Sequence, residues 1–262
     1  MFESIVRGRT LPETYHDALL ALQVLGQEVP CPDYNTNQKE ISMTMCVQKP
    51  LAEPMISKLF IGGPHELEQY RQEILFGILD FEVDKGNWDY TYHDRMVRYP
   101  IDNQIKFPGE PYKDQIQFII DELTRNPDSR RAVIDIRDNS DDMYSDDPAC
   151  LQHIQYFIRN DKLHCKVLFR SNDAVKATFM NAFALIQLQK LISDSLNIEI
   201  GTYTHRANSF HVYEKDYKLL DGYVSRIAKR ENITYSYVDE WKELMEDEQD
   251  SISKMVTELK NH

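Results

Sequence analysis

The apolar positions along the chain change period near its middle. From Thr10 to Gly26, Tyr15, Ala18, Leu22 and Leu25 recur at helical spacing, and Gly26 can end the helix. Ile41 to Val47 alternates as a strand. Glu66 to Leu79 returns to a helical period, with Leu67, Tyr70, Ile74 and Ile78 on one face. Gln115 to Thr124 reads as a third helix, ended before Asn126-Pro127 because proline disfavours helical backbone at the residue before it. Beyond Ser129 the period falls to two. Arg131 to Arg137 puts Ala132, Ile134 and Ile136 on one face and Val133 on the other. Leu151 to Arg159 and Leu163 to Arg170 flank Asn160-Asp161, a residue pair suited to a hairpin turn. Lys176 to Leu196 is the most hydrophobic helix, with Phe179, Phe183, Ile186 and Leu191 toward a buried face. Ile198 to His205 predicts a further strand, and a polar, acidic helical tail runs from about Tyr237 to the end. Helices and strands mix without strict alternation, which predicts an α+β fold rather than a doubly wound sheet.

No internal repeat or Ser/Gly-rich linker interrupts the 262 residues, so one domain over 1–262 is expected, with the acidic tail as its last part. The hydrophobic share of 42% and charged share of 28% are those of an ordinary globular chain. No run reaches the roughly 18 apolar residues of a membrane span, and Met1 to Arg7 lacks the apolar core of a signal peptide. Cys31, Cys46, Cys150 and Cys165 show no C-x-x-C spacing, so free thiols, no metal site and a cytoplasmic location are expected. A net charge of −13 argues against a nucleic-acid partner. Arginines nevertheless gather at Arg125, Arg130, Arg131, Arg137 and Arg170, and a local cationic pocket could take a small anion.

Candidate chemistry begins with Cys150, which follows Asp-Asp-Pro-Ala and opens a strand. A single cysteine is more often a small core hydrophobe, and reactivity needs a cation or donors that stabilise the thiolate. Arg170 ends the facing strand of the proposed hairpin and can supply that cation. Cys165, mid-strand between His164 and Lys166, reads as core. Arg130 and Arg131 are either a solvated pair or guanidinium forks for a phosphate. In Arg170-Ser171-Asn172-Asp173, Asp173 either caps the following helix or faces a ligand. Asn181 sits in an otherwise apolar helix, where a buried amide needs partners and its donor and acceptor suit the edge of a uracil ring. His211 and Tyr213 share a strand face, more often a half-buried surface than a sugar site.

Together these residues resemble the thymidylate synthase and pyrimidine nucleotide hydroxymethylase family. The string carrying the likeness is Pro127-Asp128-Ser129-Arg130-Arg131, Pro148-Ala149-Cys150, Arg170-Ser171-Asn172-Asp173, Asn181 and His211-Val212-Tyr213. It is specific from about Asp114 to Asp216 and extends weakly, through Tyr90-Thr91-Tyr92, to about Glu66. The resemblance implies that Cys150 adds to carbon 6 of a pyrimidine, whose carbon 5 then takes the one-carbon unit of 5,10-methylenetetrahydrofolate. It implies that Arg170 lowers the thiol pKa and binds the nucleotide phosphate with Ser171. Asn181 would read the base, His211 and Tyr213 the sugar, and Asp173 the pterin. Glu73 resembles the catalytic glutamate, with Glu66 and Glu68 close by. Arg130 and Arg131 would reach the partner's site in a homodimer formed through back-to-back sheets.

The sequence also departs from that pattern. Asp33 to Lys39 stands where a Gly/Thr-rich phosphate loop is usual, Ala149 and Leu151 flank the cysteine, Ala177-Thr178 replaces a glycine stretch, and an acidic tail replaces a short apolar C-terminus. The expected activity is methylation of dUMP to dTMP. The alternative is 5-hydroxymethylation of dUMP, dCMP or CMP, decided by exclusion of water. A nucleotide- or RNA-binding relative without activity is the non-enzyme alternative, and a cysteine hydrolase using His153 or His164 ranks last.

Overall fold

The computed structural model describes residues 2–100 and 112–261. Its main sheet has seven strands, numbered here in chain order: β1 (Glu3–Gly8), β2 (Gln27–Cys31), β3 (Thr36–Val47), β4 (Val133–Asp135), β5 (Leu151–Arg159), β6 (Lys162–Asp173) and β7 (Glu199–Tyr213). The spatial order is β1-β3-β7-β6-β5-β4, with β2 paired to the first half of β3. β1 lies parallel to β3 and β6 parallel to β7, while the remaining pairs are antiparallel. This is the mixed α+β sheet that the sequence pattern predicts.

The longer helices are α1 (Leu11–Leu25), α2 (Pro64–Phe76), α3 (Gln115–Arg125), α4 (Thr178–Ser195), α5 (Tyr217–Ala228), α6 (Lys242–Asp247) and α7 (Gln249–Asn261). α1 starts at a capping box in which Thr10 and Glu13 bond each other's backbone, and ends at Gly26. α2 stops three residues earlier than expected. Gly77 there takes φ 59°, a left-handed conformation that favours glycine, so Ile78 falls beyond the helix. α4 is the central helix. Its Phe179, Phe183 and Ile186 are buried, each such side chain contributing about 1.5–3 kcal/mol of apolar burial.

Other boundaries differ in ways that matter for the site. The strand expected over 131–137 contracts to β4, because Val133 N–H turns back to the Arg131 carbonyl at 2.8 Å, leaving both arginines in the preceding loop. The last long strand runs to Tyr213 rather than ending at His205, so His211 and Tyr213 belong to β7. The edge strand β1 and the helix α5 were not foreseen. The acidic tail is helical, and Met245 and Ile252 are buried. His65 meets Glu248 at 2.8 Å and Gln249 donates to Glu68 at 3.2 Å, tying that tail to α2. No helix among the described residues is long and apolar enough to cross a membrane.

Candidate active site

Strand register assembles the site. Asn160 and Asp161, at φ 52° and 57°, form the tight turn that pairs β5 with β6. The ladder carries Leu151 opposite Phe169, and beyond it the Arg170 N–H donates to the Cys150 carbonyl at 2.8 Å. β7 runs beside β6 with Ser209 opposite Ser171 and His211 opposite Asp173. Buried positions fall at 163, 165, 167 and 169 of β6 and then at 172; in β7 they fall at 201, 203, 205 and 207 and then at 210, 211 and 212, with His211 buried against the cavity rather than on the alternating core face. Both strands slip by one position in step, at the β-bulge between Ala207 and Phe210 where the pairing of β7 with β3 shifts register. The slip turns Ser171, Asp173, His211 and Tyr213 off the core period and onto one cavity of about 770 Å³, shared with Cys150, Arg170 and Asn181.

Arg170 is committed to the cysteine loop, donating from Nη2 to the Pro148 carbonyl at 2.6 Å and from Nε to the Ala149 carbonyl at 3.1 Å. Its charge lowers the Cys150 thiol pKa, as the resemblance implies, yet the balance goes the other way. Burial pushes the thiol above its ordinary value, Arg170 opposes that, and Asp147 adds to it. In the free protein the thiol is therefore protonated at neutral pH.

Asn181 is buried on α4, and its Oδ1 accepts a hydrogen bond from the Tyr70 hydroxyl of α2. The three glutamates of α2 separate by environment. Glu66 caps Gly63 N–H at 2.7 Å, and Glu68 pairs with Arg71 at 2.7 Å. Glu73 instead lines a second cavity, of about 530 Å³, that shares Tyr70, Tyr92 and Asp147 with the first. Burial raises the Glu73 pKa against the opposing hydrogen bond from Gln69.

Asp173 does not cap α4, whose N-cap position is Ala177 without a side-chain cap. Its Oδ1 accepts from the N–H groups of Val175 and Lys176 at 3.0 and 2.9 Å, shaping the turn before α4, while the residue lines the Cys150 cavity. Burial raises its pKa and lowers that of His211 beside it. His211, expected on a half-buried surface, is 3% exposed, and its Nε2 lacks a hydrogen-bond partner among the described residues. Its ring meets Tyr213 edge-on at 4.8 Å.

Arg130 and Arg131 are exposed and line neither cavity. His153 and His164 are likewise absent from the Cys150 cavity; His164 bonds Thr202 at 2.9 Å, which removes the hydrolase geometry. Cys165 is fully buried, as read. The sequence reading missed Tyr70 as a site residue, together with Cys31, Asp33, Tyr34 and Gln38, which also line the Cys150 cavity. Asp33, Tyr34 and Gln38 fall in the stretch that stands where the phosphate loop is usual, the one signal that could have flagged them, and Cys31 lies just before it. Tyr70 looked like one residue of an apolar helical stripe.

The thymidylate synthase family model matches residues 66–253. A protein of Methanocaldococcus jannaschii described as "Putative thymidylate synthase" is 34% identical over 214 residues, 77% of this chain and 88% of that one. One of Methanosarcina barkeri with the same description is 24% identical over 230 residues, covering 85% and 95%. The solved structure of thermostable thymidylate synthase A from Bacillus subtilis aligns with a TM-score of 0.64 at 16% identity, over 82% of this chain and 84% of its own. The chain has that fold, and it belongs to the thymidylate synthase family.

Proposed function

We propose that the protein is a thymidylate synthase that methylates dUMP at carbon 5. The observation that carries this reading is the convergence of Cys150, Arg170, Asn181 and His211 on one cavity. The Cys150 thiolate adds to carbon 6 of the base, making carbon 5 nucleophilic. Arg170 and Ser171 bind the nucleotide phosphate. Asn181 reads the base edge, and the unpartnered Nε2 of His211, with Tyr213, takes the sugar hydroxyl. Glu73 moves protons at the base; burial raises its pKa in the direction a proton-carrying carboxyl requires.

The second cavity fits the folate substrate, because Trp88 and Tyr90 offer flat rings beside the shared wall of Tyr70 and Tyr92. Asp173, which lines the Cys150 cavity, holds the pterin, so the folate reaches from the second cavity past that shared wall into the first. Methylenetetrahydrofolate, when bound, supplies the carbon unit and, in a synthase, the hydride that completes the methyl group. Arg130 and Arg131, exposed and outside both cavities, are available to a partner's phosphate in a homodimer.

One observation favours a second reading. Among the described residues, those from Tyr237 onward do not line the Cys150 cavity. Water that reaches the methylene intermediate favours 5-hydroxymethylation of dUMP, dCMP or CMP. The test is incubation with dUMP and methylenetetrahydrofolate, followed by dihydrofolate absorbance and mass spectrometry of the nucleotide. A methylated product with dihydrofolate, lost in Cys150→Ala, is expected. A hydroxymethylated product without dihydrofolate establishes the second reading, and no product with any of the three nucleotides overturns both.

A further inference from the structure

Uracil and cytosine present opposite orders of donor and acceptor on the edge that an amide reads. Uracil offers N3–H and the O4 acceptor; cytosine offers the N3 acceptor and an N4 amino group. A carboxamide complements one edge in one orientation and the other edge after a half-turn about its last bond, since its oxygen and nitrogen exchange places. Asn181 alone therefore does not choose between the two bases. Something must hold its amide one way round.

Tyr70 is placed to do so. Its hydroxyl donates to Asn181 Oδ1, and both residues line the Cys150 cavity. Burial, together with the neighbouring Glu73, Tyr90 and Cys150, keeps the phenol protonated and hence a donor. Turning the amide over would let its N–H₂ donate to the phenol oxygen, but it would take from the Tyr70 O–H the acceptor that Asn181 Oδ1 provides. The carbonyl oxygen has a second lone pair, so a pinned Asn181 can still accept from a base N3–H while its amino group donates to O4. Tyr70 belongs to α2, whose Ile74, one turn further on, is buried in the core.

We propose that Tyr70 is a positioning residue that fixes the amide of Asn181 and so makes the site select uracil over cytosine nucleotides. The proposal rests on the pyrimidine nucleotide reading of the cavity, and its own element is the Tyr70 hydroxyl. That hydroxyl acts on selectivity by orienting another side chain, not by touching the reacting carbon.

The test compares the wild type with Tyr70→Phe, which keeps the ring and removes the hydroxyl. Calorimetric affinities for dUMP and dCMP are measured on each protein, alongside thermal unfolding, so the readout does not depend on turnover. The expected result is a wild type that prefers dUMP, and a Tyr70→Phe protein whose dUMP-to-dCMP affinity ratio falls at least about tenfold, mainly through gained dCMP binding. Tyr70→Phe with an unchanged ratio overturns the proposal, even if both affinities drop together. A wild type preferring dCMP overturns it as well. If the folded wild type binds neither nucleotide, the functional reading itself fails, an outcome distinct from an unchanged ratio. Should Tyr70→Phe fold poorly, Tyr70→Trp offers an indole N–H donor but no hydroxyl acceptor, and retained uracil preference there is the expected outcome.

Discussion

The N–H of Arg170 donates to the carbonyl of Cys150 at 2.8 Å, so the proposed nucleophile and the cation beside it face each other through main-chain register rather than through side-chain choice. The thiol nonetheless stays above its ordinary pKa, because burial and the Asp147 carboxylate outweigh the guanidinium. Removing the anion lowers the pKa of a thiol beside it, since the thiolate is no longer repelled. Asp147→Asn should therefore alkylate Cys150 with iodoacetamide several-fold faster at pH 7.5, with the rate profile moved to lower pH. Asp147 is exposed, so the difference should shrink in high salt. An unmoved profile would show that burial alone sets the thiol.

A second prediction concerns a buried polar chain behind the site. His205 is 1% exposed, stacks on Phe169 at 4.7 Å, and bonds Asn172 Oδ1 through Nε2 at 2.9 Å. Because that oxygen only accepts, Nε2 carries the proton and Nδ1 accepts from the Tyr203 hydroxyl at 3.0 Å. Thr178 also donates to Asn172 Oδ1, so the network fixes the residue between Ser171 and Asp173. His205→Phe keeps the stacking but orphans Tyr203 and weakens Asn172, costing about 1–3 kcal/mol at pH 7.5. Burial lowers the His205 pKa from 6.5 to about 3. The unfolded chain gains a proton as pH falls below 6.5 while the folded chain resists, so wild-type stability drops through that window. The variant lacks this loss, and the gap measured in urea should narrow between pH 7.5 and 5.

The acidic tail offers a third. Ile252 is fully buried on α7, and α6 and α7 pack on α2, the helix that also presents Tyr70 and Glu73. Ile252→Ala should cost about 2–5 kcal/mol of stability through the cavity it leaves. Among the described residues the tail contributes nothing to the lining of the Cys150 cavity, so the ratio of methylated to hydroxymethylated product should not move. A changed ratio would mean that the tail governs water entry from a distance.

How much of this was legible beforehand follows from which forces are local. The β5–β6 hairpin and the approach of Arg170 to Cys150 could be read because Asn160-Asp161 sets the turn and alternation sets the register. α1 could be read from Thr10, its periodic apolar face and Gly26. The extent of β7 could not, because the bulge after Ala207 breaks the period-two signal at the point where His211 leaves the core. β1 was missed because its pattern is mostly exposed, and it exists through parallel pairing to β3, a contact between distant segments. Tyr70 was read as packing because helical spacing says which way a side chain points, not which hydroxyl it meets across two helices. Glu73 is singled out over Glu66 and Glu68 by the resemblance alone; the structure adds that a cap and an ion pair occupy the other two.

Arg130 and Arg131 yield the last prediction. Ser129 Oγ donates to Glu122 at 2.6 Å and accepts from Arg131 N–H at 3.1 Å, so the loop backbone is anchored while both guanidinium groups stay exposed. If they serve a partner's phosphate, each site of a homodimer needs Cys150 from one subunit and the arginines from the other. A double variant, Arg130→Ala with Arg131→Ala, and the single variant Cys150→Ala should each be inactive alone. In a mixed dimer, the Cys150→Ala subunit lends its arginines to the site that retains the cysteine, restoring one of the two sites. Half of randomly re-formed dimers are mixed, so refolding the two together in equal amounts should recover about a quarter of wild-type turnover. Recovery should vanish if the variants are mixed without subunit exchange. An arginine double variant that keeps full activity alone would instead make Arg130 and Arg131 a solvated pair, and a mixture that recovers nothing would confine their role to their own subunit.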